Sequence, residues 1–240
     1  MDYQIIIDSL PAMMHGMVLT IEITVLSLLC GLTMAIPLAI FRVSKYRLLW
    51  IPAYAYILFF RGTPLLVQLF LIYYGSGQFR EGLEAWGLWQ FFREAYFCAV
   101  FGLALNTAGY TAEILRGAIR AVPHGEVEAA IACGMTGPLL YRRIILPKAF
   151  RLALQAYSNE VVFLFQATSL VSIISLMDLT GVARVIAART FDIYEVYITA
   201  GVLYLIVTYG ILHVFKRVEY RWSGHLRQRE PDAVGIPERP

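Results

Sequence analysis

Apolar positions gather into long runs separated by short polar segments that carry most of the basic residues. Four runs, residues 17–41, 51–74, 96–115 and 197–215, have the length of about 20 residues that a helix needs to cross a hydrocarbon core about 30 Å thick. A fifth, 152–174, is long enough but carries Gln155, Asn159, Glu160 and Gln166, so hydropathy alone scores it weakly. The basic residues decide in its favour. They cluster at Arg42, Lys45 and Arg47, again from Arg116 to Arg151, and again from Lys216 onward. Loops rich in Lys and Arg stay in the cytoplasm, and only five spans put all three clusters on one side. The reading is an all-α, polytopic membrane protein with five transmembrane helices, its N-terminus outside and its C-terminus cytoplasmic. Residues 1–222 form the membrane domain, and 223–240 form a solvated tail with no fold of its own.

Composition agrees: 59% of the 240 residues are hydrophobic and 15% charged, more apolar than a soluble core of this size requires. The net charge of +3 comes from the cytosolic flanks, so it marks orientation and gives no reason to expect nucleic acid. The first apolar run starts too far from Met1, without a basic head, to be a cleaved signal peptide. Cys30 and Cys98 fall in spans and Cys133 in a cytosolic loop, so no pair shares an oxidising compartment. His15, His124 and His213 stand apart and suggest no metal site. Tyr73, Tyr74, Trp86 and Trp89 read as an interfacial belt. No internal repeat is visible, which speaks against an inverted-repeat transporter.

Three polar groups reach one depth. Counting 1.5 Å per residue from the basic boundaries, Arg61 lies about 16 Å in, Asn106 about 15 Å and Glu160 about 14 Å, near the middle of the core. A charge there costs on the order of 3 kcal/mol, so these side chains must face one another, a water-filled cavity or a ligand. Pro64 and Gly62 also interrupt the second span, and irregular backbone at that depth belongs in protein or along a cavity. Tyr157, Glu160, Leu164 and Thr168 recur at helical spacing on one face, with Asn159 beside them. Two structural alternatives stand beside a binding role. Arg61 and Glu160 can neutralise each other, and Asn106 can bridge helices.

The cytosolic segment 123–147 has its own pattern. Pro123 suits a first helical position, Glu126 and Glu128 favour a helix N-terminus, and Ala129, Ala130 and Ala132 leave one flank almost bare. Gly134 can take the left-handed conformation that ends a helix, and Pro147 ends the next segment. The expected product is a small helix-turn-helix knob.

The spacing Glu128-Ala129-Ala130, Gly134, Ile144, Leu146-Pro147 resembles the EAA loop by which ABC importer permeases dock on their ATPases. Phe60 to Leu65, Leu105-Asn106, Val122 to Glu126 and Tyr157-Ser158-Asn159-Glu160 are similar to polar amino acid ABC importer permeases. The resemblance runs from Thr20 to about Trp222. Ser158-Asn159-Glu160 looks like the histidine, arginine and opine branch.

The resemblance implies a type I importer in the bacterial inner membrane, working by alternating access. Its partners would be an ABC ATPase homodimer, a second permease subunit (paralogue or self), an extracytoplasmic amino-acid-binding protein and membrane lipid. No cofactor is expected on this chain, which is not itself an enzyme, since ATP and Mg belong to the ATPase. Expected substrate-binding residues are Glu160, Asn106, Thr63, Arg61, Asn159, Tyr157 and Thr168. Expected ATPase-coupling residues are Glu128, Ala129, Ala130, Gly134, Leu146 and Pro147. The rival reading is an ion-coupled secondary amino acid transporter, which would share the buried charges but has no use for a cytosolic knob.

Overall fold

The computed structural model describes residues 3–222, and every regular element among them is helical. The expected tail, 223–240, lies outside the described residues. Helix α1 spans Tyr3–Val43, α2 Arg47–Gly62 and α3 Leu65–Tyr73. Two short helices, α4 (Arg80–Ala85) and α5 (Trp89–Phe92), lead to the long α6 (Ala95–Arg120). Then come α7 (His124–Ala132), α8 (Gly137–Leu140), α9 (Leu146–Ala167), α10 (Leu179–Thr190) and α11 (Ile193–Trp222). Among the described residues four stretches are long and apolar enough to span a membrane: Gln4–Val43, Ala95–Arg120, Gly137–Ile174 and Ile193–Trp222. The fifth is the broken pair α2 and α3, whose axis turns by 104° between Arg47–Gly62 and Leu65–Ala85.

The central contact is α1 against α6, and it is built from small residues. Gly31, Ala35 and Ala39 recur every four positions on α1, as do Ala104, Ala108 and Ala112 on α6, and all six are buried. With no aqueous driving force between helices in lipid, close backbone approach of this kind is what holds them together. The approach is close: a Cβ built on Gly31 would lie 2.3 Å from Thr107 Cγ2 and 3.1 Å from Ala104 O.

Helix α1 begins well before the expected position 17, because its first turns have something to pack on. Met13 and Met17 are buried against Leu179, Ala183, Ala187, Val196 and Ala200 of the α10–α11 hairpin. Thr20 Oγ1 accepts from Leu179 N at 3.1 Å, and Gly16 leaves room for the Asp178 carbonyl, which a Cβ would meet at 2.9 Å. Asp178 caps α10, accepting from Gly181 N at 2.9 Å and Thr180 N at 3.2 Å. Burial lifts this connecting-loop carboxyl to about 6, against the downward pull of those amides.

Two readings of proline change. Pro123 occupies the cap position with extended backbone, and α7 starts one residue later. Pro147 does not end a segment but sits in the first turn of α9. The chain enters α9 through a π turn at Tyr141–Ile145, where Leu146 N donates to Tyr141 O. That widened turn is where a helix can absorb the donor that proline lacks, so Gly137–Ile174 runs on as one span.

Candidate functional site

The break in the second span follows from one missing donor. In a continuous helix Phe60 O would accept from residue 64, and Pro64 has no N–H. Two side-chain amides substitute for it: Gln68 Nε2 donates to Phe60 O at 2.9 Å and Asn106 Nδ2 to the same oxygen at 3.2 Å. Gln68 Nε2 also lies 3.1 Å from Thr63 O and 2.7 Å from Thr63 Oγ1, while its Oε1 accepts from Asn106 Nδ2 at 2.9 Å. The Thr63 hydroxyl donates to Phe59 O at 2.8 Å. Gln68 is 2% exposed and was not among the expected site residues, although it holds the bend that shapes the site.

The bend, α6 and α9 surround an open cavity of ≈ 770 Å³. One wall is the turn from Arg61 to Leu65, another is Asn106, Tyr110 and Ile114, and the third is Asn159, Glu160, Phe163 and their neighbours. The two expected charges reach it from opposite elements and are held differently. The Arg61 guanidinium lies over the Tyr110 ring, 5.2 Å from its centroid. Glu160, 8% exposed, accepts from the buried Thr107 hydroxyl at 2.8 Å. Among the described residues no direct ion pair joins Arg61 to Glu160, so the two charges stand apart on the cavity wall and act on each other only through space.

Five of the seven expected binding residues therefore meet at one cavity: Arg61, Thr63, Asn106, Asn159 and Glu160. Asn106 does both things considered for it, bridging helices through its amide nitrogen while facing the cavity. Tyr157 and Thr168 lie off the wall. Tyr157 packs edge-on to Phe215 of α11, and Thr168 is fully buried with its hydroxyl on Phe165 O at 2.6 Å. Their spacing placed them on the Glu160 face, but α11 covers Tyr157, and the helix tightens to a 3-10 form at Thr168. Tyr110, one turn beyond Asn106, shares its face by a spacing readable in the sequence, whereas Thr107 carries no such signal.

The cytosolic knob is a separate feature. Helix α7 ends in a double turn: Gly134 N donates to Ile131 O at 2.8 Å and Met135 N to Ala130 O at 3.0 Å, with Gly134 left-handed at φ +82°. Ala130, Leu140 and Ile145 are buried in one cluster with Ile119 and Val122 at the end of α6. Glu128, Ala129, Gly134 and Pro147 stay exposed, and Leu146 is half-buried. An ion pair between Lys148 and Glu126 ties the knob to the root of α9.

Known proteins are similar to this chain in sequence and fold. The chain is 46% identical over 229 residues to the nopaline transport system permease protein NocM of Agrobacterium fabrum, covering 95% of each. It is 47% identical to the octopine transport system permease protein OccM of Rhizobium meliloti, covering 92% of this chain and 90% of that one. It is 43% identical to the histidine/lysine/arginine/ornithine transport system permease protein HisM of Escherichia coli K12, covering 88% and 89%. A solved amino acid ABC transporter with histidines superimposes with a TM-score of 0.79 at 32% identity, over 92% of this chain and 99% of that one. The methionine transporter MetNI shares the fold, with a TM-score of 0.67 at 19% identity. Residues 27–222 match the model of the binding-protein-dependent transport system inner membrane component, and the chain belongs to that family.

Proposed function

We propose that this chain is the permease subunit of an ATP-driven importer for basic amino acids or opines, and that Glu160 attracts the substrate's cationic side chain. The observation that carries the reading is the cavity between the broken span, α6 and α9, with Glu160 and Arg61 facing it from different elements and in no direct contact. A charge at that depth is costly unless something repays it, and a zwitterion with a cationic side chain carries the complementary charges. Arg61 then takes the carboxylate. Asn106 and the bent backbone, whose carbonyls are already drawn to Gln68, bind what remains of the polar end. The names of the relatives support the substrate class, since they transport nopaline, octopine, or histidine, lysine, arginine and ornithine.

The chain performs no covalent chemistry in this reading. ATP and Mg bind a cytosolic ATPase homodimer, and the knob formed by α7 and α8, with Glu128, Ala129, Ala130, Gly134, Leu146 and Pro147, docks on it. A loaded binding protein meets the outer loops, a second permease subunit completes the pathway, and closure of the ATPase turns the cavity from one side of the membrane to the other. In this reading the N-terminus lies outside and the C-terminus in the cytoplasm, an orientation that the basic clusters favour.

Glu160→Gln tests the assignment. It keeps shape and removes the charge, so losing a charge-assisted contact of about 1.5 to 3 kcal/mol should lower transport of arginine about ten- to a hundredfold, with little loss for a neutral analogue. If Glu160 serves only to balance Arg61, both substrates fall together and the melting temperature of the detergent-solubilised complex drops.

A further inference from the structure

Thr107 is buried, lies outside the cavity wall, and sits between two other elements. On one side its methyl faces Gly31 of α1, close enough that a Cβ there would come within 2.3 Å of it. On the other its hydroxyl donates to Glu160 Oε1 of α9 at 2.8 Å. Threonines in helices commonly return the hydroxyl to a carbonyl of their own turn, as Thr20 does to Gly16 O at 3.0 Å, Thr24 to Thr20 O at 2.7 Å and Thr199 to Glu195 O at 2.7 Å. Thr107 spends its hydroxyl across the helix pair instead.

We infer that Thr107 is a positioning residue for substrate selectivity: seated by Gly31, it holds one oxygen of Glu160 and leaves the other to the substrate's cation. The inference rests on the reading of Glu160 as the cation's partner. Two physical constraints act together. A β-branched side chain in a helix has few rotamers, and the Gly31 notch is the place that accepts the methyl, so the hydroxyl is aimed at α9. A carboxylate fixed by one donor offers its remaining lone pairs in a set direction, which favours a planar or ammonium cation over a neutral amide of the same shape. Gly31 therefore acts on the cavity from the far side of α6, through one side chain.

The experiment uses the assembled transporter in detergent, without binding protein, and compares binding of radiolabelled arginine with that of its neutral isostere citrulline. Thr107→Val keeps the volume and removes the donor; arginine binding should weaken about three- to tenfold while citrulline binding and the melting temperature hold. Thr107→Ser restores the donor and should restore the preference for arginine. Gly31→Ala should reduce that preference, and the pair Gly31→Ala with Thr107→Ser should regain much of it, since serine has no methyl to be displaced. Wild-type selectivity in Thr107→Val, or an equal loss in Thr107→Ser, overturns the inference. Glu160→Gln measured alongside separates the two levels. If it loses arginine binding while Thr107→Val does not, only the role of Thr107 fails. If neither variant loses it, the assignment of Glu160 fails as well.

Discussion

At the scale of single residues the site is organised by what Pro64 takes away. Its missing N–H leaves Phe60 O without its helical partner, and Gln68 and Asn106 supply two donors in its place. Gln68→Leu would leave Thr63 O and part of the Asn106 amide unpaired and Phe60 O with one donor in place of two, at a cost of about 1 to 3 kcal/mol. The expected result is a lower melting temperature of the solubilised complex together with weakened uptake of every substrate. A neutral effect on both would mean that the bend is held by packing alone. The interruption at Pro64 and the charges at Arg61 and Glu160 were legible in the sequence, because proline and charge are conspicuous in an apolar run. Gln68 and Thr107 were not. A glutamine four residues beyond a proline, or a threonine among alanines, becomes informative only once the partner across the helix is known.

At the scale of elements, the same contrast separates what hydropathy can see from what packing decides. The fifth span is legible from the charges on either side of it; Asn159 and Glu160 face the cavity and Gln155 and Ser158 face α11, while Gln166 is exposed. Helix α1 starts well before the apolar run at 17, in turns that are mixed in polarity. They are helical because the α10–α11 hairpin receives them, a contact invisible from residues 3–17 alone. The knob was readable down to its turn, since Gly134 combines a positive φ with a double backbone closure. A Cβ at Gly134 would meet no atom within 4 Å, so Gly134→Val is a test of backbone strain without steric clash. The strain should cost on the order of 1 kcal/mol or more and displace the α7–α8 connection. In the assembled transporter we expect ATP hydrolysis that responds poorly to loaded binding protein, with reduced uptake. Full stimulation and full uptake would remove the knob from the coupling role.

At the scale of the whole molecule, the charge pattern and the helix order together separate two sets of helix ends. The basic clusters at Arg42 to Arg47, Arg116 to Arg151 and Lys216 to Arg221 fall at one set of helix ends, where the knob also sits. The opposite ends carry the segment from Gly75 to Glu94 and the connection from Met177 to Val196, which include α4, α5 and α10. Those segments mix exposed aromatics such as Trp86 and Phe191 with charges of both signs, a surface suited to a transient partner whose approach is steered by charge. Glu84 is exposed and paired only with Arg80 one turn away, so a photo-crosslinking residue can replace it at little cost to stability. Probes at Glu84 and at Asp192 should both capture the loaded binding protein, and the yield should fall as salt screens the encounter. Capture of the ATPase instead, reproducibly and from both positions, would mean that the chain sits in the membrane the other way round. In that case the positive-inside assignment, and the cytosolic place of the knob with it, would have to be abandoned.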